Sequence, residues 1–214
     1  MLIEKNSRIV FIGDSITDAG RDRPVGTMKR GLGTGYVNFI AGLLSAFYPQ
    51  HNLKFFNTGI SGNRVIDLAG RWKTDVLDLK PDWVSVMIGI NDVWRHFDHN
   101  GYIEQVSLEK YSAVLEQLVK NTVRRVQGLV LITPYFIEAN RSEPMRAMMD
   151  TYSKAVKNVS EKYKTLFADT QDAFDEYLQH GTSHTLCADR VHPNAAGHMI
   201  IARTFLDTVE FSWK

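Results

Sequence analysis

The sequence predicts an α/β protein in which a five-stranded parallel sheet is flanked by helices. Short apolar runs rich in β-branched and aromatic residues recur along the chain, and helix-length stretches separate them. Strand and helix then alternate five times, the pattern of a parallel sheet with crossover helices.

The first strand is predicted at residues 9–13, where the absence of polar alternation suits a strand buried on both faces. It stops at Gly13-Asp14-Ser15, which supplies a turn residue, a carboxylate and a hydroxyl where open α/β sheets bind ligands. The second strand, 53–57, runs into Asn57-Thr58-Gly59-Ile60-Ser61-Gly62-Asn63, ahead of a helix at 65–79. Pro81 and Gly128 mark entries into the third and fourth strands, 83–89 and 129–133, and a fifth is predicted at 166–169. Further helices are expected at 36–48, 108–126, 145–163 and 195–209. In the helix after Pro144, Met145, Met148, Met149, Tyr152, Ala155, Val156 and Val159 recur at threes and fours, a core-facing stripe. Residues 21–35, 94–107 and 135–143 are less regular. Each follows a strand's carboxyl end or its short turn, so all three are expected on one rim, where binding sites are usually built.

Composition narrows the partners. With 214 residues and 44% hydrophobic content, residues 1–214 are expected to form one domain. A net charge of +1 from 25 basic and 24 acidic residues leaves no electrostatic footprint for nucleic acid or an anionic membrane. The single Cys187 excludes an internal disulfide. His96 with His99, and His180 with His184, are spaced like metal ligands but lack an evident third, so no metal is expected. The glycines of residues 31–35 have neither a preceding strand nor a Lys-Ser/Thr ending, against a phosphate loop. Nothing approaches the roughly 20 apolar residues of a membrane span. The opening Met-Leu-Ile-Glu-Lys-Asn-Ser-Arg has no secretory pattern, and a cytoplasmic location is expected.

Singly, the candidate chemical groups have ordinary readings. Asp14 and Ser15 can simply cap a helix, and a serine hydroxyl is a weak nucleophile without a base. Gly62 can belong to a plain turn or present a bare backbone N–H to a ligand. Asn91 can cap a helix or aim its amide at a developing oxyanion. Asp189 and His192, three residues apart, are ordinarily a surface pair, and in a helical or tight turn they lie on one face, where a carboxylate can orient an imidazole. Together, a hydroxyl, a backbone N–H, an amide and an oriented imidazole make the parts list for acyl transfer. No Ser completes the Gly-x-Ser-x-Gly pattern of a nucleophile elbow.

Gly13-Asp14-Ser15, Gly62, Gly89-x-Asn91-Asp92 and Asp189-x-x-His192 resemble the four ordered blocks of the SGNH, or GDSL, hydrolase family, and they span almost the whole chain. The wider stretches Phe-Ile-Gly-Asp-Ser-Ile-Thr-Asp, Met-Ile-Gly-Ile-Asn-Asp-Val-Trp and Asp-Arg-Val-His-Pro are similar to the branch that deacetylates xylo-oligosaccharides. So are Gly33-Thr-Gly-Tyr36 and Thr133-Pro-Tyr-Phe136. The resemblance implies a three-layer, flavodoxin-like α/β/α fold, no cofactor, and a homo-oligomer. It assigns a triad of Ser15, Asp189 and His192, an oxyanion hole of Ser15, Gly62 and Asn91, and supporting roles for Asp14 and Asp92.

Trp94, Tyr135, Phe136 and Trp213 are aromatics that can stack on a sugar ring, and equally good core or interface residues. A lipid-directed esterase, a thioesterase or a lysophospholipase would use the same machinery. The charged rim stretches Arg21-Asp22-Arg23, 96–100 and 138–143 favour a polar substrate, a small acetylated saccharide. A non-enzymatic flavodoxin-like module is the other alternative, and it leaves Asp189 and His192 unexplained.

Overall fold

The structure, a computed structural model, describes residues 1–98 and 103–213. His99, half of one histidine pair considered above, lies outside the described residues.

In chain order the elements are β1 (Arg8–Gly13), α1 (Ser15–Asp18), β2 (Gly26–Thr27), α2 (Tyr36–Phe47), β3 (Lys54–Asn57), α3 (Val65–Asp75), β4 (Trp83–Met87) and α4 (Ile90–Trp94). They continue with α5 (Leu108–Thr122), β5 (Gly128–Ile132), α6 (Pro144–Tyr163), β6 (Leu166–Ala168), α7 (Thr170–Leu178), α8 (Ser183–Leu186) and α9 (Ala195–Thr208).

The sheet order is β2-β3-β1-β4-β5-β6. All pairings are parallel except that of β2, which lies antiparallel on β3 with Gly26 opposite Asn57 and Thr27 opposite Phe56. The five predicted strands are therefore present, and a sixth corrects the count. That strand is two residues long inside the irregular 21–35 segment, too short for any side-chain period to register. The 65–79 helix stops at Asp75 and gives way to a 3₁₀ turn, Leu77–Leu79. Helix α7 falls where no helix was expected. Its residues are largely polar, and Asp169 starts it by accepting from the Asp172 N–H.

Helices α2, α9 and α7 pack side by side, as do α3, α5 and α6, giving two helical layers around the sheet. Strand β4 is buried at all five positions, and β1 at all but Arg8, as expected of parallel strands covered on both faces. Phe11 on β1 meets Phe205 of α9 and Tyr36 of α2 at ring-centroid distances of 5.4 and 6.1 Å, locking that layer to the sheet. No helix among the described residues is long and apolar enough to cross a membrane.

Strands β3, β1 and β4 are neighbours at the centre of the sheet, so the segments that follow them emerge side by side at one edge. Close approach at that edge requires Gly13, where a Cβ would run into the Met87 carbonyl oxygen of β4 and the Thr17 hydroxyl. Gly13→Ala is expected to destabilise the protein by about 1–3 kcal/mol, because the obstructing oxygen is backbone and cannot turn aside. Urea unfolding midpoints measure this; an unchanged midpoint would show that β1 and β4 separate freely there.

Candidate active site

The Asp14 side chain accepts from the Ile16 N–H at 3.0 Å and so begins helix α1, leaving Ser15 at its first position, half-exposed. The capping role is thus filled by Asp14, and the Ser15 side chain is left uncommitted to the helix end. Ser15 Oγ lies 2.9 Å from His192 Nε2, and His192 Nδ1 lies 2.7 Å from Asp189 Oδ2. The other Asp189 oxygen accepts the N–H groups of Val191 and His192 at 3.0 and 2.8 Å, folding the Asp-x-x-His segment into a closed turn. Burial pulls the Asp189 carboxyl upward, but the bonds from His192 and from the two backbone N–H groups outweigh it and hold it below the usual carboxylate range. An ionised Asp189 can only accept, so Nδ1 carries the proton. Nε2 is then free to accept from the Ser15 hydroxyl.

Two of the three expected oxyanion donors, Gly62 and Asn91, lie on the segments after β3 and β4. Gly62 has φ +82° with open space around the place of a Cβ, so backbone conformation, not crowding, calls for glycine. Asn91 is buried on α4 and donates one amide N–H to the Asn63 carbonyl at 3.1 Å; its amide has a second N–H. Asp92 accepts the Val65 N–H with both carboxylate oxygens, at 3.0 and 3.2 Å, which joins α4 to the start of α3. The segment carrying Gly62 is therefore tied to α4 on either side of Arg64.

Two further residues that support this edge escaped sequence reasoning. Asp18, buried at the end of α1, accepts from the backbone N–H and hydroxyl of Ser61 and pairs with Arg23, fixing the residue before Gly62. Asn57 donates to the Thr17 and Leu32 carbonyls at 2.6 and 2.8 Å and accepts the Gly59 N–H at 2.9 Å. The signals were their places, four residues after Asp14 and at the last position of a strand.

The predicted aromatics divide. Trp94 is half-buried beside the triad, its ring centroid 6.2 Å from that of His192. Tyr135 and Phe136, expected as sugar-stacking candidates, are instead buried. Tyr135 donates its hydroxyl to the Val191 carbonyl at 3.1 Å, and Phe136 carries the Arg190 guanidinium over its ring at 4.7 Å. Both support the turn that holds Asp189 and His192. Trp213 packs on Phe211 and bonds Asp207 beyond the far end of α9. That 14-residue helix begins just after His192, so roughly 20 Å of helix separates Trp213 from this chain's own triad.

A serine, an imidazole and a carboxylate in hydrogen-bonded sequence at the carboxyl edge of a parallel sheet define the serine-hydrolase class of site. Comparison with known proteins narrows the class. Residues 11–200 match the GDSL-like Lipase/Acylhydrolase family, and the chain belongs to that family. It is 51% identical to an acetylxylan esterase of Geobacillus stearothermophilus over 100% of this chain and 98% of the relative. The crystal structure of Axe2, an acetylxylan esterase from the same organism, superposes with a TM-score of 0.97 at 50% identity, covering 100% of this chain and 98% of Axe2. LAE5, an alpha/beta hydrolase enzyme from the metagenome of Lake Arreo, Spain, gives 0.95 at 47% identity with 98% of each chain covered.

Two buried carboxyls lie under the site. Burial pushes Asp14 up to about 7, with the nearby Asp92 charge adding to it and the Ile16 N–H opposing. Burial likewise pushes Asp92 up to about 7 against the Val65 N–H. Between about 4 and 7 the folded protein therefore binds protons at these groups that the unfolded chain does not. The stability they contribute is full at the acid end of that window and lost as pH rises through 7. His198 acts oppositely: burial holds it down to about 4, so its contribution is lost as pH falls from 6.5 toward 4. Asp92→Asn, which keeps a side-chain acceptor without the charge, is expected to gain stability relative to the parent as pH rises from about 5 to about 8. Urea titrations at both pH values measure this, and a pH-independent difference would mean that Asp92 ionises normally.

Proposed function

We propose that the chain is a serine esterase that hydrolyses O-acetyl esters of small carbohydrates, acetylated xylo-oligosaccharides foremost, through an acetyl-enzyme on Ser15. The observation that carries it is the unbroken 2.9 and 2.7 Å relay from Ser15 through His192 to Asp189.

His192 Nε2 takes the hydroxyl proton as Ser15 Oγ bonds to the acetyl carbon, and Asp189 stabilises the imidazolium that forms. The carbonyl electron pair moves onto oxygen, which accepts hydrogen bonds from the Ser15 N–H, the Gly62 N–H and the Asn91 amide. When this tetrahedral species collapses, the C–O bond to the sugar breaks and His192 returns its proton to the departing alkoxide. Water, deprotonated by the same nitrogen, then attacks the acetyl carbon and releases acetate and free Ser15. Asp14 and Asp92 order the two donor segments and take no part in proton transfer.

Solved relatives support the assignment. Catalytic mutants of Axe2 replace a serine, an aspartate or a histidine by alanine, the last two spaced three residues apart as Asp189 and His192 are. The side chains of Asp189 and His192 are 44% and 48% exposed, an open rim suited to a polar oligosaccharide rather than to a fatty chain needing an apolar tunnel. Trp94 beside His192 is the one sequence-predicted aromatic positioned to meet the sugar. We further propose a cytoplasmic location, one domain over residues 1–214 on the strength of length and apolar content, and, from the family resemblance, a homo-oligomer; a monomeric mass by light scattering would remove the last.

An organophosphonate probe is expected to label native protein, with Ser15→Ala abolishing the label and lowering kcat/KM by more than about 10⁴-fold. Failure to label, together with no hydrolysis of an activated acetate ester, would leave a binding module. Asn91→Ala is expected to cut kcat on the order of 100- to 1,000-fold with the fold intact, as loss of one oxyanion donor does. Unaltered turnover would remove Asn91 from the mechanism. Specificity constants for acetylated xylose, acetylated xylo-oligosaccharides and short fatty-acyl esters test the substrate class. A preference for the fatty-acyl esters would favour the lipid-directed reading.

A further inference from the structure

Arg71 projects from α3 toward the carboxyl edge of the sheet, with its side chain only 14% exposed. Its Nε donates to Asn63 Oδ1 at 2.7 Å and its Nη2 to the Gly13 carbonyl at 3.0 Å. Nη1 donates to the Thr58 carbonyl at 2.6 Å and to Asp75 Oδ2 at 2.7 Å. Three of these four acceptors belong to different parts of the active-site edge. Gly13 ends β1 two residues before Ser15, Thr58 follows the end of β3, and Asn63 follows Gly62 directly. The Asn63 carbonyl in turn accepts from Asn91.

We propose that Arg71 is a positioning residue, whose planar guanidinium sets the mutual placement of the three oxyanion donors by bracing the segments after β1 and β3. It has no direct part in the chemistry, and the inference rests on reading Ser15, Gly62 and Asn91 as the groups that meet the reacting ester.

The β1 and β3 segments are already joined ahead of Gly62, where the Ile60 N–H donates to the Gly13 carbonyl at 3.1 Å and Asp18 accepts from Ser61. The chain then passes through the positive-φ turn at Gly62, and Arg71 fastens the far side of that turn. A guanidinium suits this task because its N–H groups diverge in one plane, reaching acceptors on separate segments from a single rigid group. A lysine ammonium concentrates its three donors on one nitrogen at the end of a flexible stem and cannot span Gly13, Thr58 and Asn63 together. The ion pair with Asp75, one helical turn along α3, is separable from this function: it orients the guanidinium from behind without contacting either donor segment.

The test is a steady-state comparison of Arg71→Lys, Asp75→Asn and Ser15→Ala on an activated acetate ester, with active sites titrated by an organophosphonate. Arg71→Lys is expected to lower kcat by on the order of 10- to 100-fold, since small misplacements of a catalytic constellation cost that much. KM should stay within about twofold, because the substrate's ground-state contacts are untouched. Every folded molecule should still be labelled, only more slowly. A boronic acid, which forms a tetrahedral adduct on Ser15, should lose affinity by a factor similar to the loss in kcat/KM. Asp75→Asn keeps the three clamping contacts and is expected to retain kcat within about threefold.

Near-parental kcat in Arg71→Lys, or equal losses in Arg71→Lys and Asp75→Asn, would overturn the proposal; the second result would assign the effect to the helix ion pair. If Arg71→Lys fails to fold, Asn63→Ala carries the test by removing one clamped acceptor while keeping the carbonyl that Asn91 uses. An unchanged kcat there would equally overturn it. An active Ser15→Ala would instead sink the esterase mechanism itself, whereas an inactive Ser15→Ala beside a fully active Arg71→Lys removes only the role of Arg71.

Discussion

The 2.9 Å hydrogen bond between Ser15 Oγ and His192 Nε2 joins residues 177 positions apart. It exists because a parallel sheet delivers every strand's carboxyl end to the same edge. Crossover helices return the chain to the opposite edge after each strand, so each pass deposits one loop beside the previous one. With β1 flanked by β3 and β4, the serine, the Gly62 turn and Asn91 become neighbours without any long-range loop having to find them. The imidazole arrives from outside the sheet, on the segment leading into α9, and α9 is held over β1 by the contact of Phe205 with Phe11. Core packing and catalytic geometry are therefore linked through one helix.

The edge itself has little regular backbone structure, so its rigidity comes from buried polar side chains. Asp14, Asp18, Arg21, Asn57, Asn91 and Asp92 are all buried, and each bonds to at least one backbone group there. In a low-dielectric surrounding such bonds are strong and an unpaired partner is costly, so a loop fastened this way holds one conformation. The triad carboxylate and imidazole sit on the exposed side of this layer. The arrangement separates two demands: a fixed edge needs a dry base, and a reacting molecule needs open access.

A second clamp serves the turn that carries Asp189 and His192. Arg190 has φ +62°, a strained conformation for a side-chain-bearing residue, in the middle of the Asp-x-x-His turn. Its carbonyl accepts from Ile137, its guanidinium pairs with Glu138 at 2.6 Å and lies over Phe136, and the next carbonyl accepts from Tyr135. Gln171 on α7 grips both backbone groups of Phe136, at 2.8 and 3.2 Å. The strained turn is thus held by residues 135–138, which α7 fixes in turn. Helix α7, unexpected from the sequence, is one of the parts that hold His192 in place.

Local periodicity and punctuation sufficed for the five parallel strands and five principal helices, because buried strands and amphipathic helices write their burial into residue order. Ser15, Gly62, Asn91, Asp189 and His192 were legible as candidates for a related reason: each lies within six residues of a strand's end or a helix's start, where chain order already fixes the edge. Side-chain direction was not legible. Tyr135 and Phe136 read as candidate sugar platforms until packing turned them inward, and Trp213 until the length of α9 carried it away. Asp18, Asn57 and Arg71 looked like ordinary polar residues, since each joins its segment to another through a partner far off in sequence: Ser61 for Asp18, Thr17 and Leu32 for Asn57, and Gly13 for Arg71. Residue order encodes what a segment buries, but the acceptors that a buried donor meets are set only when separate segments share a volume.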